Sequence, residues 1–290
     1  MNLLYILADC NQWYLALIAA FLGIIVGSFL NVMIVRIPIY LEHQYGIKSN
    51  AQTNRNKQPH VKLFDLLISR SRCTYCHKQL AWHENIPIVS YVLLHGKCSR
   101  CKQPISVRYP LVELLTSILT IVTTLVFGLS LTTSAALIMT WTLLLLAFID
   151  IEKQLLPDNL TQPLLWLGLL VNAMAGLTNL KSALFGAILG YLSLWLVYHI
   201  FRLATGKEGL GYGDLKLLAA LGAWLGWQMV PLIIVLATIV GSVVGIYKIL
   251  RKKADLSSKL PLGPFLAMAG WIALIWGKEI NSQYSSMVGM

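Results

Sequence analysis

The run Leu143-Leu144-Leu145-Leu146-Ala147-Phe148-Ile149-Asp150 closes a stretch with no charged residue back to Leu114. Apolar stretches of this length are membrane helix, so Asp150 stands where a membrane segment stops. Ionisable groups at membrane depth are costly and usually functional. The same kind of run recurs along the chain. Apolar windows at 13–35, 111–127, 133–149, 160–175, 182–200, 215–225, 229–247 and 262–276 predict eight membrane helices. The sixth is too short to cross alone. No small-residue cleavage site follows the first window and no Lys or Arg precedes it, so it reads as a retained helix and not a signal peptide. The 290 residues are 57% hydrophobic and 12% charged, with a mean hydropathy of +0.68. This composition excludes an ordinary globular domain. The expected fold is an all-α polytopic membrane protein with about eight transmembrane helices and a cytoplasmic loop domain between helices 1 and 2.

The formal net charge is +11, and its distribution follows the membrane. All but two of the 23 Lys and Arg, Lys181 and Lys278, fall on the connections at 36–108, 153, 202–216 and 248–259. With eight spans the positive-inside rule puts those connections in the cytoplasm and both termini outside. Asp150 and Asp214 then both lie at cytoplasmic ends. A nucleic-acid surface would need clustered basic and aromatic residues in a folded domain, which this pattern does not offer.

Asp214 lies in Gly211-Tyr212-Gly213-Asp214, where glycines permit turns and the close approach of another chain. Two carboxylates brought together share a proton, because like charges at short range do not both ionise comfortably. Asp150 and Asp214 are therefore candidates for a water-activating pair of the aspartic protease kind. The plainer reading of Asp214 is an N-cap opening a helix at Leu215. Leu156-Pro157-Asp158 contains a helix stop and a new N-cap, and Glu152 and Asp158 are alternative partners for Asp214. From Asp214 to Trp227 a helix would cover about 21 Å of a core about 30 Å thick. Gly222, Ala223 and Gly226 on it would permit close packing.

Cys73-x-x-Cys76 is followed after 21 residues by Cys98-x-x-Cys101. Two matching knuckles supply four thiolates to one tetrahedral site, and a closed four-cysteine shell is a structural zinc site. A cytoplasmic loop disfavours the alternative, disulfides. His77, His83 and His95 are nearby but not needed as ligands. Between the knuckles, Trp82-His83-Glu84-Asn85-Ile86-Pro87 and Gly96-Lys97 are too rich in aromatic and turn residues for a spacer. Glu113 could be a site residue, or a carboxylate capping its own helix N-terminus. Gly27-Ser28-Phe29-Leu30-Asn31 suits close helix packing, with Asn31 bonded across the interface. Arg36-Ile37-Pro38 should end the first helix, and 41–62 reads as a flexible connection.

These residues, taken in order, resemble the type IV prepilin peptidase family of bacterial pilus and type II secretion systems. The resemblance rests on Gly27-Ser-Phe-Leu-Asn-Val with Arg36-Ile-Pro, the Cys pairs around Glu84-Asn-Ile-Pro, and Asp150 through Leu156-Pro157-Asp158. Gly211-Tyr-Gly-Asp-Leu-Lys and Pro261-Leu-Gly-Pro-Phe complete it. It implies a leader peptidase and N-methyltransferase of the bacterial inner membrane, acting on prepilins and type II pseudopilins beside the lipid bilayer. Asp150 and Asp214 would be the catalytic pair, supported by Gly211, Gly213, Lys216 and Asp158. Zinc would be structural and S-adenosylmethionine the methyl donor, although no glycine-rich nucleotide loop is visible. Glu84, Gly96 and Lys97 are the candidates for methyl transfer. The implied division is a first transmembrane helix at 1–35, a zinc-binding domain at 36–110 and a transmembrane aspartic peptidase domain at 111–290. The rival classes are an ion- or proton-coupled transporter with a regulatory zinc domain, and a zinc-bound scaffold. A transporter site would be expected at the membrane midplane and not toward one face, and a scaffold leaves the aspartates unexplained.

Overall fold

The structure, a computed structural model, describes residues 3–44, 73, 75–76, 79, 88–174, 176–206, 209–251 and 261–288. Outside these lie residues 45–62 of the expected flexible connection, His77, His83, the phrase containing Glu84, Lys207 and the basic run at 252–259. The described residues are helical with no named strand, and Lys97 and Pro104 form an isolated antiparallel bridge. The helices are α1 (Leu3–Gln44), α2 (Val89–Leu93), α3 (Arg108–Phe127), α4 (Leu131–Lys153) and α5 (Asp158–Met174). After them come α6 (Leu180–Thr205), α7 (Tyr212–Leu225), a 3₁₀ turn at Trp227–Met229, α8 (Val230–Leu250) and α9 (Gly263–Val288). Every apolar window is thus a helix. Five stretches are long and apolar enough to cross a membrane: Gln12–Gln44, Arg108–Phe127, Leu131–Lys153, Leu180–Thr205 and Trp227–Leu250. Gly263–Gly277 is a shorter apolar helix, and α5 and α7 have 17 and 14 residues.

The chain divides into two compact units, Met1–Leu125 and Val126–Met290. In the first, α1 and α3 run antiparallel in four-residue steps. The Ser117 hydroxyl donates to the Ala20 carbonyl at 3.2 Å, and Asn31 Nδ2 donates to the Tyr109 carbonyl at 3.0 Å. A Cβ on Gly23 would stand 2.6 Å from Ser117 Cα, and one on Gly27 would stand 2.7 Å from Glu113 Cα. The small residues let the helix backbones touch, as the packing reading of the Gly27–Asn31 segment required. The expected stop at Pro38 is not there. Proline removes the N–H that would bond the Ile34 carbonyl, yet α1 continues to Gln44, so residues 41–44 of the expected flexible connection are helix.

The second unit is built around α7. Leu215, Leu217, Leu218, Ala220, Leu221, Ala223 and Trp224 on it have no exposed surface, because α5, α6 and α9 all pack against it. That explains how a 14-residue helix too short to cross a membrane is stable: its neighbours, and not lipid, cover it. α6 and α7 cross where Gly186 meets Gly222 backbone to backbone. α5 is fastened by polar groups: Trp224 Nε1 donates to the Leu164 carbonyl at 2.8 Å, and Asn172 Nδ2 donates to the carbonyls of Ala223 at 2.8 Å and Trp224 at 3.0 Å. Each bond satisfies a buried polar group that would otherwise destabilise the core.

Candidate active site

Both aspartates are in the second unit. α4 ends just beyond Asp150, where Gln154 adopts a left-handed cap and donates its N–H to the Asp150 carbonyl at 2.9 Å. α7 begins at Tyr212 with Gly211 as its N-cap, one turn earlier than a helix opening at Leu215 would. Asp214 is therefore not the cap. It is the third helical residue, and its Oδ2 accepts the Gly211 N–H at 3.3 Å. Asp150 Oδ2 in turn accepts the N–H of Gly263, the first residue of α9, at 3.1 Å. Leu156, from the bend after α4, fits between the two glycine segments. A Cβ on Gly213 would lie 2.6 Å from Leu156 Cβ, and one on Gly263 would lie 3.1 Å from Leu156 Cδ1.

Leu156 thus stands between the glycine next to Asp214 and the glycine that bonds Asp150, which brings the two carboxylates to one end of the unit. Both are nearly enclosed, with 5% and 8% of their surfaces exposed. Each has one oxygen held by a glycine N–H at a helix start, and Asp214 Oδ1 is buried with no hydrogen-bond partner. A buried pair with one side tied and one oxygen uncommitted can hold a proton and a water between its members.

Asp158 and Lys216 stand beside the pair without joining it. Lys216 Nζ donates to both Asp158 oxygens at 2.7 Å, tying the start of α5 to α7 just past its first turn. Asp158 is thus a partner of Lys216 and not of Asp214, and Glu152 is exposed. The Tyr212 ring packs on Tyr198, centroids 5.1 Å apart.

The four cysteines lie in the first unit, with their sulfurs all within 4.8 Å of one another. Cys73 and Cys101 Sγ are 3.8 Å apart. Tetrahedral zinc with Zn–S of about 2.3 Å needs sulfurs about 3.8 Å apart, so the set fits such an ion and is too open for a disulfide. The two knuckles repeat one device. Peptide N–H groups of Cys76 and Tyr75 bring the Cys73 thiol down to about 6, and those of Cys101 and Arg100 lower Cys98. Cys101 stands at about 11: the Gln103 N–H favours its thiolate, but desolvation and the three neighbouring thiols outweigh it. Four thiolates at this range need a cation among them.

Gly96 has φ +66 and bonds within the loop, its N–H to the Tyr91 carbonyl and its carbonyl from the Ile105 N–H. The Tyr91 ring fills the place of a Cβ, at 3.0 Å, so glycine is required there for the shape of the turn. Lys97 is exposed beside it, and Glu84 is outside the described residues. Glu113 does not cap its own helix. Its Oε2 accepts the Ile88 N–H at 2.8 Å, and the Ser28 hydroxyl also bonds it, so it ties α1, α3 and the start of α2 together.

Two residues of the site were not foreseen, Gly263 and Leu156. The signal for Gly263 was Gly-Pro at the head of an apolar run: proline suits the first turn of a helix and leaves the glycine N–H free to bond elsewhere.

Residues 21–127 match the Bacterial Peptidase A24 N-terminal domain, and residues 137–246 match the Type IV leader peptidase family. A prepilin leader peptidase/N-methyltransferase of Stutzerimonas stutzeri is 47% identical over 94% of this chain and 95% of its own. One of Aeromonas hydrophila is 47% identical over 98% of each chain. One of Dichelobacter nodosus is 44% identical over 90% of this chain and 92% of its own. No solved structure matches.

Proposed function

This chain belongs to the type IV leader peptidase family, and on that premise we infer a bifunctional membrane enzyme. It cleaves the leader peptide from prepilins and N-methylates the new N-terminal residue. The observation that carries the peptidase assignment is the pair of buried aspartates, each held by a glycine N–H at a helix start.

Asp150 and Asp214 are the catalytic pair of this reading. One carboxylate, ionised, takes a proton from water as the water oxygen bonds to the scissile carbonyl carbon. The other, protonated, donates to the carbonyl oxygen. Collapse of the tetrahedral intermediate breaks the C–N bond, and the amine leaves with a proton returned by the pair. Gly211 and Gly213 shape the turn that carries Asp214. Lys216 and Asp158 fix that turn against α5.

Membrane placement follows from charge. With eight spans, the basic connections and both aspartates face the cytoplasm of a bacterial inner membrane, and the termini lie in the periplasm. A prepilin's apolar segment lies in the bilayer while its leader stays in the cytoplasm, which brings the scissile bond to the pair. Type II pseudopilins share that chemistry and are substrates of the same kind. Residues 36–110 form the zinc-binding domain between the helix at 1–35 and the peptidase domain at 111–290. Cys73, Cys76, Cys98 and Cys101 would hold zinc in a closed shell whose role is structural.

S-adenosylmethionine, when bound, supplies a sulfonium methyl group for the free amine. The loop with Gly96 and Lys97, and Glu84 in the same phrase, is the region assigned to that step. An exposed lysine beside a left-handed glycine turn suits the carboxylate of such a donor. The transporter alternative has no support from the relatives, which bear enzyme names. The test is mass spectrometry of a prepilin N-terminus after incubation with purified protein and S-adenosylmethionine. Loss of the leader with a gain of one methyl supports both activities, and an intact prepilin refutes the peptidase.

A further inference from the structure

We propose that Gly263 is the positioning residue for Asp150, setting the carboxylate through its N–H and through the absence of a side chain. The proposal rests on the reading of Asp150 as catalytic. It begins from a complete count of the donors in the first turn of α9. The opening N–H groups of a helix have no partner within it. Pro264 has none to give, and the N–H groups of Phe265 and Leu266 both go to the Leu262 carbonyl at 3.0 Å. That leaves the Gly263 N–H, which goes to Asp150 Oδ2 at 3.1 Å in a buried setting.

The approach is close because the residue is glycine. A Cβ there would lie 2.6 Å from Asp150 Oδ2 and 3.1 Å from its Cγ. Contacts under 3.0 Å are not tolerated by real side chains, and α4 and α9 are packed against each other, so it is the carboxylate, the far end of a flexible side chain, that must turn. Gly263 does for Asp150 what Gly211 does for Asp214: an N–H at a helix start fixes Oδ2 and leaves the other oxygen toward the reaction. A catalytic group moved by about 1 Å loses on the order of 100-fold in rate.

The experiment compares purified wild type, Gly263→Ala, Gly270→Ala and Asp150→Asn in steady-state cleavage of a prepilin, with thermal unfolding of each. Gly270→Ala is the packing control: it lies on the same helix, and the nearest atoms its added methyl would meet belong to the Leu221 side chain. Gly263→Ala is expected to lose kcat by about 100-fold with KM changed less than about twofold. Its Tm should match that of Gly270→Ala, which keeps its kcat. A Gly263→Ala enzyme with normal kcat, beside an inactive Asp150→Asn, overturns the role of Gly263 alone. An active Asp150→Asn overturns the reading beneath it. Should Gly263→Ala unfold, Leu156→Ala in that background removes the apolar clash and keeps the contact with the carboxylate. The double variant should fold and remain slow, whereas recovery of kcat would show a packing lesion only.

Discussion

A carboxylate in a membrane protein is informative when every other claim on it has been counted. Asp158 is answered by Lys216 through both oxygens, and Glu113 by the Ile88 N–H and Ser28. Asp150 and Asp214 each have one oxygen held by glycine, which sets them apart from Asp158 and Glu113. Asp150→Asn and Asp214→Asn should therefore each abolish cleavage while the protein still folds, because an amide is isosteric but cannot pass protons. Lys216→Ala should do far less. Its ion pair is 26% and 55% exposed at the two side chains, and such pairs contribute about 0–1 kcal/mol. Cleavage by that variant, measured by band shift of a prepilin, should stay within about tenfold of wild type. The sequence alone showed Asp150 and Asp214 as candidates because they stand at the edges of apolar runs. It could not show that Asp158 is taken, since the lysine that takes it is 58 positions away.

Among the elements, α7 shows why length misleads. Its 14 residues are too few to span a bilayer, and the sequence registered that shortness without its cause. The cause is tertiary: α5, α6 and α9 enclose it, and the crossing with α6 depends on Gly186 facing Gly222. Gly222→Ala should lower stability by about 1–3 kcal/mol through overpacking, seen as a fall in Tm in detergent. The knuckles were legible, because Cys-x-x-Cys spacing carries its own geometry, and the structure adds the shared device of N–H groups aimed at Cys73 and Cys98. Purified protein should contain about one zinc per chain. Cys98→Ser should lose it and loosen the loop, and full occupancy in that variant would refute the four-cysteine site. The Pro38 stop failed for a different reason. A proline inside a long helix removes one hydrogen bond, and flanking turns keep the helix going when they have partners, as Ile34, Ile37 and Leu41 do by being buried.

At the scale of the whole molecule, the chain places cysteines and aspartates in separate compact units, and the proposed division of the two chemistries follows that line. Hydrolysis needs a proton-sharing pair, whereas methyl transfer needs an amine held in line with a sulfonium, a positioning task. Asp214→Asn should thus still methylate a pre-cleaved pilin, and a bulky residue at Gly96 should impair methylation more than cleavage because it displaces Tyr91. Topology is testable by cysteine labelling in sealed cells: sites beside Lys181 and Lys278 should react from outside, and sites beside Lys57 and Lys252 should not. The polytopic helical class was legible because apolar length and charge sidedness are local properties of the chain. The convergence of two helix starts on two carboxylates was not, because it joins Asp150 to a glycine more than a hundred positions away. The most direct measurement is mass spectrometry of a prepilin N-terminus after incubation with S-adenosylmethionine and either wild-type, Asp150→Asn or Asp214→Asn protein. The expected result is a shortened, singly methylated N-terminus with wild type and an intact prepilin with both variants. Leader removal by either variant would contradict the central claim.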